Sequence, residues 1–214
     1  MSHKGLRAIG QGMPRTENGT VAPKRLKNEE RRSREHLTPG EIELLMKTAK
    51  KREGRHGHRD ATMILVCYRH VLRVGELCTL RWDQFDFDQG LVHVRRLKNG
   101  RPSVHPLRGS EIRALRRLRR EQVPASPYVF TTERRGPMTS AGFRKLLARV
   151  GEAAEMPFPI HPHMLRHSGG YKLANDGVDT RALQHWFGHR NIQNTVRYTE
   201  LAADRFKSFW EGED

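Results

Sequence analysis

Cysteine is almost missing from this chain: Cys67 and Cys78 are the only two in 214 residues, and they form no CxxC pair. That sets aside a disulfide framework and a cysteine zinc site, and leaves two reduced thiols in apolar stretches that read as helices. Long apolar runs are missing as well. None approaches the roughly 18 residues of a membrane span, and the N-terminus has no apolar segment of the kind that directs secretion. Acidic residues are in the minority, 24 Asp and Glu against 40 Lys and Arg, for a formal charge of +16. Such an excess points to a polyanion, nucleic acid before an anionic membrane, with a merely solvated basic surface as the alternative. We expect a cytoplasmic, nucleoid-associated protein with no membrane partner. Apolar residues make up a modest 36%, yet they cluster in runs such as "ATMILVCYRHVL" and suffice for a core at this length.

Large apolar side chains are scarce over residues 1–36, which carry nine Lys and Arg, Lys24 and Arg25 among them, and four glycines. This segment reads as a basic, flexible N-terminal arm, either a plain tail or one that touches phosphates. Folding starts sharply after it. In "LTPGEIELLMKTAKK" Thr38 precedes Pro39, and Glu41 follows three residues on, a capping box that opens an amphipathic helix. A second helix is expected over about residues 59–72, and a shorter one from Gly75. "GLVHVRRLKNGRPSVHPL" places Asn99–Gly100 between two strand-like runs, a hairpin signal that puts Lys98 on the shoulder of a tight turn. "GSEIRALRRLRREQ" has an apolar stripe (Ile112, Leu115, Leu118) and a basic outer face of Arg113, Arg116, Arg117 and Arg120. "YVF" at 128–130 reads as a third strand. From Thr139 the pattern is helical, broken at Pro157, Pro159, Gly177 and Gly188. The fold class is mainly α with a small antiparallel β-sheet, without internal repeats. Its domain is expected to span 37–214.

Three stretches could carry chemistry. In "LRVGELCTLRW" Arg73 and Glu76 are three apart, so the carboxylate can orient a guanidinium that holds a phosphate; a surface ion pair is the alternative. In "IHPHMLRHSGGYKLANDG" Pro162 can start a helix that puts His163 and Arg166 on one face. His163 and His167, at i and i+4, raise a metal site, but there is no HExxH glutamate and no third ligand at suitable spacing. Satisfied structural histidines read equally well. In "HWFGHRNIQNTVRYTE" His189 lies nine residues before Tyr198, with Asn191 able to cap a new helix between them. Taken alone, a tyrosine there is as well explained by packing.

In this order the motifs resemble the tyrosine recombinase (integrase) family: Arg73 in "LRVGEL", Lys98 in a hairpin turn, His163 and Arg166 in "HMLR", then "GH" before Tyr198. "HPHMLRHS" and "GHRNIQNTVRYT" are similar to the small fimbrial phase-switch invertases of bacteria, compact forms without a full N-terminal DNA-clamping domain. The resemblance covers residues 37–210 or so and implies an integrase catalytic-domain-like fold. It implies that Tyr198 attacks a DNA phosphodiester, leaving a 3′-phosphotyrosyl link and a free 5′-hydroxyl. Arg73 and Arg166 would clamp the non-bridging oxygens, and Lys98 would protonate the leaving oxygen, with Arg96 or Arg101 as near alternatives. His163 would assist proton transfer from Tyr198 or bond the phosphate, His189 would hold a phosphate oxygen, and Glu76 would buttress the site. No metal or other cofactor is called for. The implied partners are double-stranded DNA, further copies of the chain in a tetramer on that DNA, and accessory DNA-bending proteins. The arginines of 113–120, with Lys24 and Arg25, are the expected DNA contacts. The C-terminal "LAADRFKSFWEGED" either packs on its own domain or anchors a neighbouring protomer. Two other activities fit the same residues less fully: relaxation of the type IB topoisomerase kind, and a DNA-binding regulator with a silent site.

Overall fold

A computed structural model describes residues 35–52, 56–97, 100–123 and 125–200. Lys24, Arg25, Lys98 and the segment 201–214 lie outside the described residues. Helix α1 (Pro39–Lys51) opens as its sequence dictates: Thr38 Oγ1 accepts from Glu41 N at 3.3 Å, and Glu41 Oε2 accepts from Thr38 N at 2.7 Å. Its buried stripe, Ile42, Leu45 and Ala49, packs on α2 (Gly57–Arg69). A short α3 (Val74–Cys78) and a single 3₁₀ turn lead to strands β1 (Phe85–Asp86), β2 (Leu91–Val94) and β3 (Ser103–Pro106). The sheet is antiparallel in the order β1-β2-β3. Four helices follow α4 (Gly109–Glu121): α5 (Ser140–Ala153), α6 (Pro162–Asn175), α7 (Thr180–Phe187) and α8 (Gln193–Glu200). Among the described residues no helix is long and apolar enough to cross a membrane.

Two expectations need correction. The third strand is Phe85–Asp86, not 128–130; Tyr128 makes only an isolated bridge to Arg81. The ladder of the hairpin stops early, at Val94↔Ser103, and leaves the described residues 95–97 and 100–102 outside it. Pairing ends there because Arg96 turns into the protein, while Gly100 N bonds Leu97 O at 3.3 Å to close a turn further out.

Glu35 and His36, assigned by composition to the arm, pack on the folded part: Glu35 pairs with Arg197 at 2.9 Å, and the His36 ring lies 4.3 Å from that of Tyr171. Apolar side chains form a large cluster joining α1 to α6 and the sheet, and a smaller one of Val71, Ala174, Leu183, Phe187 and Tyr198. Cys67 and Cys78 are buried and unpaired, and burial pushes the Cys67 thiol up to about 12. A buried polar chain attaches the sheet to the helices. His70 Nε2 donates to Glu111 Oε1 (3.0 Å), His70 Nδ1 and His105 Nδ1 share a hydrogen bond (3.1 Å), and Ser103 Oγ and His105 Nε2 share another (2.8 Å). The carboxylate only accepts, which fixes His70 Nε2 as the donor at that end. His105 also stacks on Trp186 at 3.8 Å.

Candidate active site

The seam between the two clusters is built from the end of α2, where the chain leaves the helix through Val71 at φ 46°. A β-branched residue in the left-handed region costs on the order of 1–3 kcal/mol and persists only where its surroundings impose it. Here the Val71 carbonyl accepts from Arg166 Nη1 on α6 and from Arg96 Nη1 at 3.5 Å. Two residues on, Arg73 caps α3, and Glu76 folds back to accept from Arg73 N (2.9 Å) and Arg73 Nη1 (2.8 Å). Glu76 is 3% exposed, so the pair is not a surface contact. Its carboxylate also takes Arg96 Nη1 at 3.0 Å and Leu97 N at 3.2 Å, and lies 3.9 Å from Arg166 Nη1.

Three guanidiniums thus surround one carboxylate. Burial would raise the carboxyl pKa of Glu76, but Arg96 first and then Arg73 hold it below the usual range. Arg166, deeply buried and facing Arg73 and Arg96, has its own pKa lowered to about 9 and stays charged at neutral pH. The cluster is short of negative charge. A phosphodiester supplies the missing kind of group, and the guanidinium of Arg73, its side chain 31% exposed, is open to receive it.

His189 follows the C-cap of α7. Gly188 at φ 66° makes that turn, and a Cβ there would meet Arg101 O at 2.6 Å and Arg96 Cγ at 2.7 Å, so only glycine serves. Arg166 Nη2 donates to His189 Nε2 at 3.1 Å, and His189 Nδ1 donates to Thr195 Oγ1 at 2.8 Å. Burial, then Arg166 and Arg73, hold the His189 pKa down to about 3, so the ring is neutral. Asn191 Oδ1 accepts from Gln193 N at 3.0 Å, in keeping with the expected cap, and starts α8.

Tyr198, on α8, is 2% exposed. Its ring stacks on Phe187 at 4.7 Å and meets Tyr171 edge-on at 5.1 Å. Phe187 lies in turn under the Arg166 guanidinium at 4.7 Å. The hydroxyl donates to His167 Nδ1 at 2.8 Å, and burial pushes the phenol up to about 12. The ring of His163, the expected proton partner, lies 4.3 Å from that of His167, centroid to centroid. The surrounding protein, then Arg166, lower its pKa. His167 itself is held down to about 3, first by burial and then by His163, so the ring is neutral, and the tautomer with its proton on Nε2 is the one that accepts from Tyr198.

Arg73, Glu76, Arg166 and His189 are therefore in one bonded cluster, with Tyr198 one aromatic ring away. The sequence leaves His167 open between a metal ligand and a structural histidine, and offers Arg96 only as a near alternative to Lys98. Arg113, Arg116, Arg117 and Arg120 are exposed on α4; Arg116 bonds Phe87 O at 3.4 Å and Arg117 pairs with Glu121 at 2.6 Å.

Comparison with known proteins follows the same outline. The phage integrase family model matches residues 35–205. Type 1 fimbriae regulatory protein FimB of Escherichia coli K12 is 39% identical over 184 residues, covering 84% of this chain and 91% of FimB. FimE of the same strain is 38% identical over 83% of this chain and 91% of its own. Tyrosine recombinase XerA of Thermococcus kodakarensis is 35% identical over 72% of this chain and 55% of its own. Among solved structures, XerA recombinase superposes with a TM-score of 0.69 at 24% identity, covering 82% of this chain and 63% of that one. XerH bound to its difH substrate gives 0.67 at 22%, over 83% and 53%. This chain thus spans nearly the whole of FimB but under two thirds of the Xer proteins.

Proposed function

Because the chain belongs to the phage integrase family, the tyrosine recombinases that break and rejoin DNA strands, we propose that Tyr198 is its nucleophile. The reaction is attack of the Tyr198 oxygen on a scissile phosphodiester. A phosphorus–oxygen bond forms to the tyrosine as its hydroxyl proton passes to His163, the bond to the 5′-oxygen breaks, and that oxygen leaves as a hydroxyl with a proton from Lys98. A 3′-phosphotyrosyl link conserves the bond energy until a second 5′-hydroxyl reverses the step. The observation that carries this reading is the bonded set of Arg73, Arg166 and His189 beside Tyr198, cationic beyond what Glu76 offsets.

Each residue then has a role. Arg73 and Arg166 bind the non-bridging oxygens, where negative charge grows in the transition state. His189 takes the tautomer with its proton on Nε2, Thr195 Oγ1 then donating to Nδ1, and that N–H donates to a phosphate oxygen, while His163 takes the Tyr198 proton and bonds the phosphate beside it. Glu76 orients the arginines and carries no proton. Lys98 protonates the leaving oxygen, a role that rests on its place in the sequence alone. Neither a metal nor a nucleotide has a step in this scheme. The substrate is double-stranded DNA, gripped through the α4 arginines and the basic arm, Lys24 and Arg25 included. Several copies act together on two sites, in a tetramer, with DNA-bending proteins assisting in the cytoplasm.

A nicked suicide duplex carrying the cognate site tests the proposal. The wild type should give a covalent protein–DNA band on a denaturing gel, and Tyr198→Phe should give none while still binding DNA. Salt-sensitive binding without any covalent band would point instead to a silent DNA-binding regulator. Relaxation of plasmids lacking any site would point to topoisomerase activity.

A further inference from the structure

Arg96 is the third guanidinium of the cluster, its side chain fully buried, where that of Arg73 is partly open. Inward-facing residues alternate along β2, Val92 and Val94, and Arg96 continues that alternation past the end of the ladder. From there it reaches four groups. Arg96 Nη1 donates to Glu76 Oε2 and to Val71 O, while Nη2 donates to His70 O at 3.5 Å and to Trp186 O. Those partners belong to the Arg73 segment, to the strained end of α2, and to the last turn before His189. The loop that Arg96 leaves is fastened to the same places, by Leu97 N on Glu76 Oε1 and by Arg101 N on Gly188 O at 3.1 Å.

Stability alone does not account for a charge in this position. A buried ion pair is no better than apolar side chains of equal volume, and Arg96 Nε is buried with no partner at all. The turn at Gly188 is shaped around the Arg96 stem, since no Cβ would fit there. What the guanidinium provides is geometry: a planar fork that joins three chain segments meeting at the phosphate clamp.

We propose that Arg96 is a positioning residue for strand cleavage, fixing Glu76, and through it Arg73, in register with the Val71 carbonyl that holds Arg166 and with the turn that carries His189. The proposal rests on the recombinase reading given above. It acts through Glu76 and the backbone and does not touch the DNA.

Arg96→Lys keeps the charge but replaces the fork with one ammonium that cannot span Glu76 and three carbonyls; Arg96→Met keeps the volume without charge. The experiment compares both with wild type in three readouts: single-turnover covalent complex formation on the nicked duplex at saturating protein, Kd for the same duplex, and thermal melting. For Arg96→Lys the cleavage rate should fall about 100-fold, the scale of an ångström misplacement, while Kd stays within about threefold and melting remains one cooperative step. Arg96→Met should cleave no faster. Cleavage by either variant within about threefold of wild type would overturn the proposal. So would a loss of cleavage matched by an equal loss of binding or of folded protein, or failure of Arg96→Lys to fold, each of which assigns Arg96 to stability. If wild type gives no Tyr198-linked complex, the recombinase reading itself fails, and the proposal with it.

Discussion

At the scale of residues, the site is governed by how buried polar groups find partners. The Tyr198 hydroxyl has one, Nδ1 of His167. A buried phenol left without an acceptor costs about 1–3 kcal/mol, so His167→Leu should destabilise the protein by that amount in urea denaturation. His167→Asn, whose amide can place an oxygen near the Nδ1 position, should recover most of the loss; equal losses in the two variants would show that packing of the ring is what counts. The magnitudes also decide what His167 is not. A phenol near 12 does not hand its proton to an imidazole near 3 unless a charge enters the site to change both. Arg73, Glu76, Arg166, His189 and Tyr198 were legible in the sequence because motif order carries them. His167 was not, since nothing in the spacing of residues 167 and 198 announces that their side chains meet. Arg96 had a signal: the buried alternation of Val92 and Val94 runs on into it.

At the scale of elements, helix α6 places the site, and its approach to α7 and α8 is set by a missing side chain. A Cβ on Gly170 would lie 2.5 Å from Phe187 Cζ and 2.8 Å from Tyr198 Cε1. Gly170→Ala must therefore displace the ring of Tyr198 without removing any polar group. Overpacking of this kind costs about 1–3 kcal/mol, and we expect both a lower melting temperature and slower covalent complex formation. Wild-type values in both measurements would mean that α8 is free to shift with little cost. The capping box of α1 and the start of α6 at Pro162 were readable from local chemistry alone. The hairpin was misjudged for a physical reason. Asn-Gly favours a tight turn, but the pull of Glu76, Val71 and Trp186 on Arg96 is tertiary and ends the ladder early.

At the scale of the whole molecule, the basic composition and the mainly helical pattern foretold the class, while the buried imidazoles that stitch it together were invisible. His105, His167 and His189 have pKa values depressed to about 2, 3 and 3, burial being the first cause in each. Above an unfolded imidazole pKa of about 6.5 they are neutral in both states. Below it the unfolded chain binds protons that the folded chain refuses, so stability falls as pH drops from about 6.5 towards 3. Glu76 and Glu111, both held low, add their loss only below about 4.5. The melting temperature should thus fall by more than about 5 °C between pH 7.5 and 5.5, before any carboxylate titrates. A flat profile over that interval would show that these rings accept protons in the folded state. The central claim is that one tyrosine of the four in the chain takes the DNA strand. It is tested most directly by trapping the covalent complex, trimming the DNA with nuclease and sequencing the peptides by mass spectrometry. The account predicts a nucleotide adduct on Tyr198 and no other residue; an adduct on its neighbour Tyr171, or on no tyrosine, would contradict it.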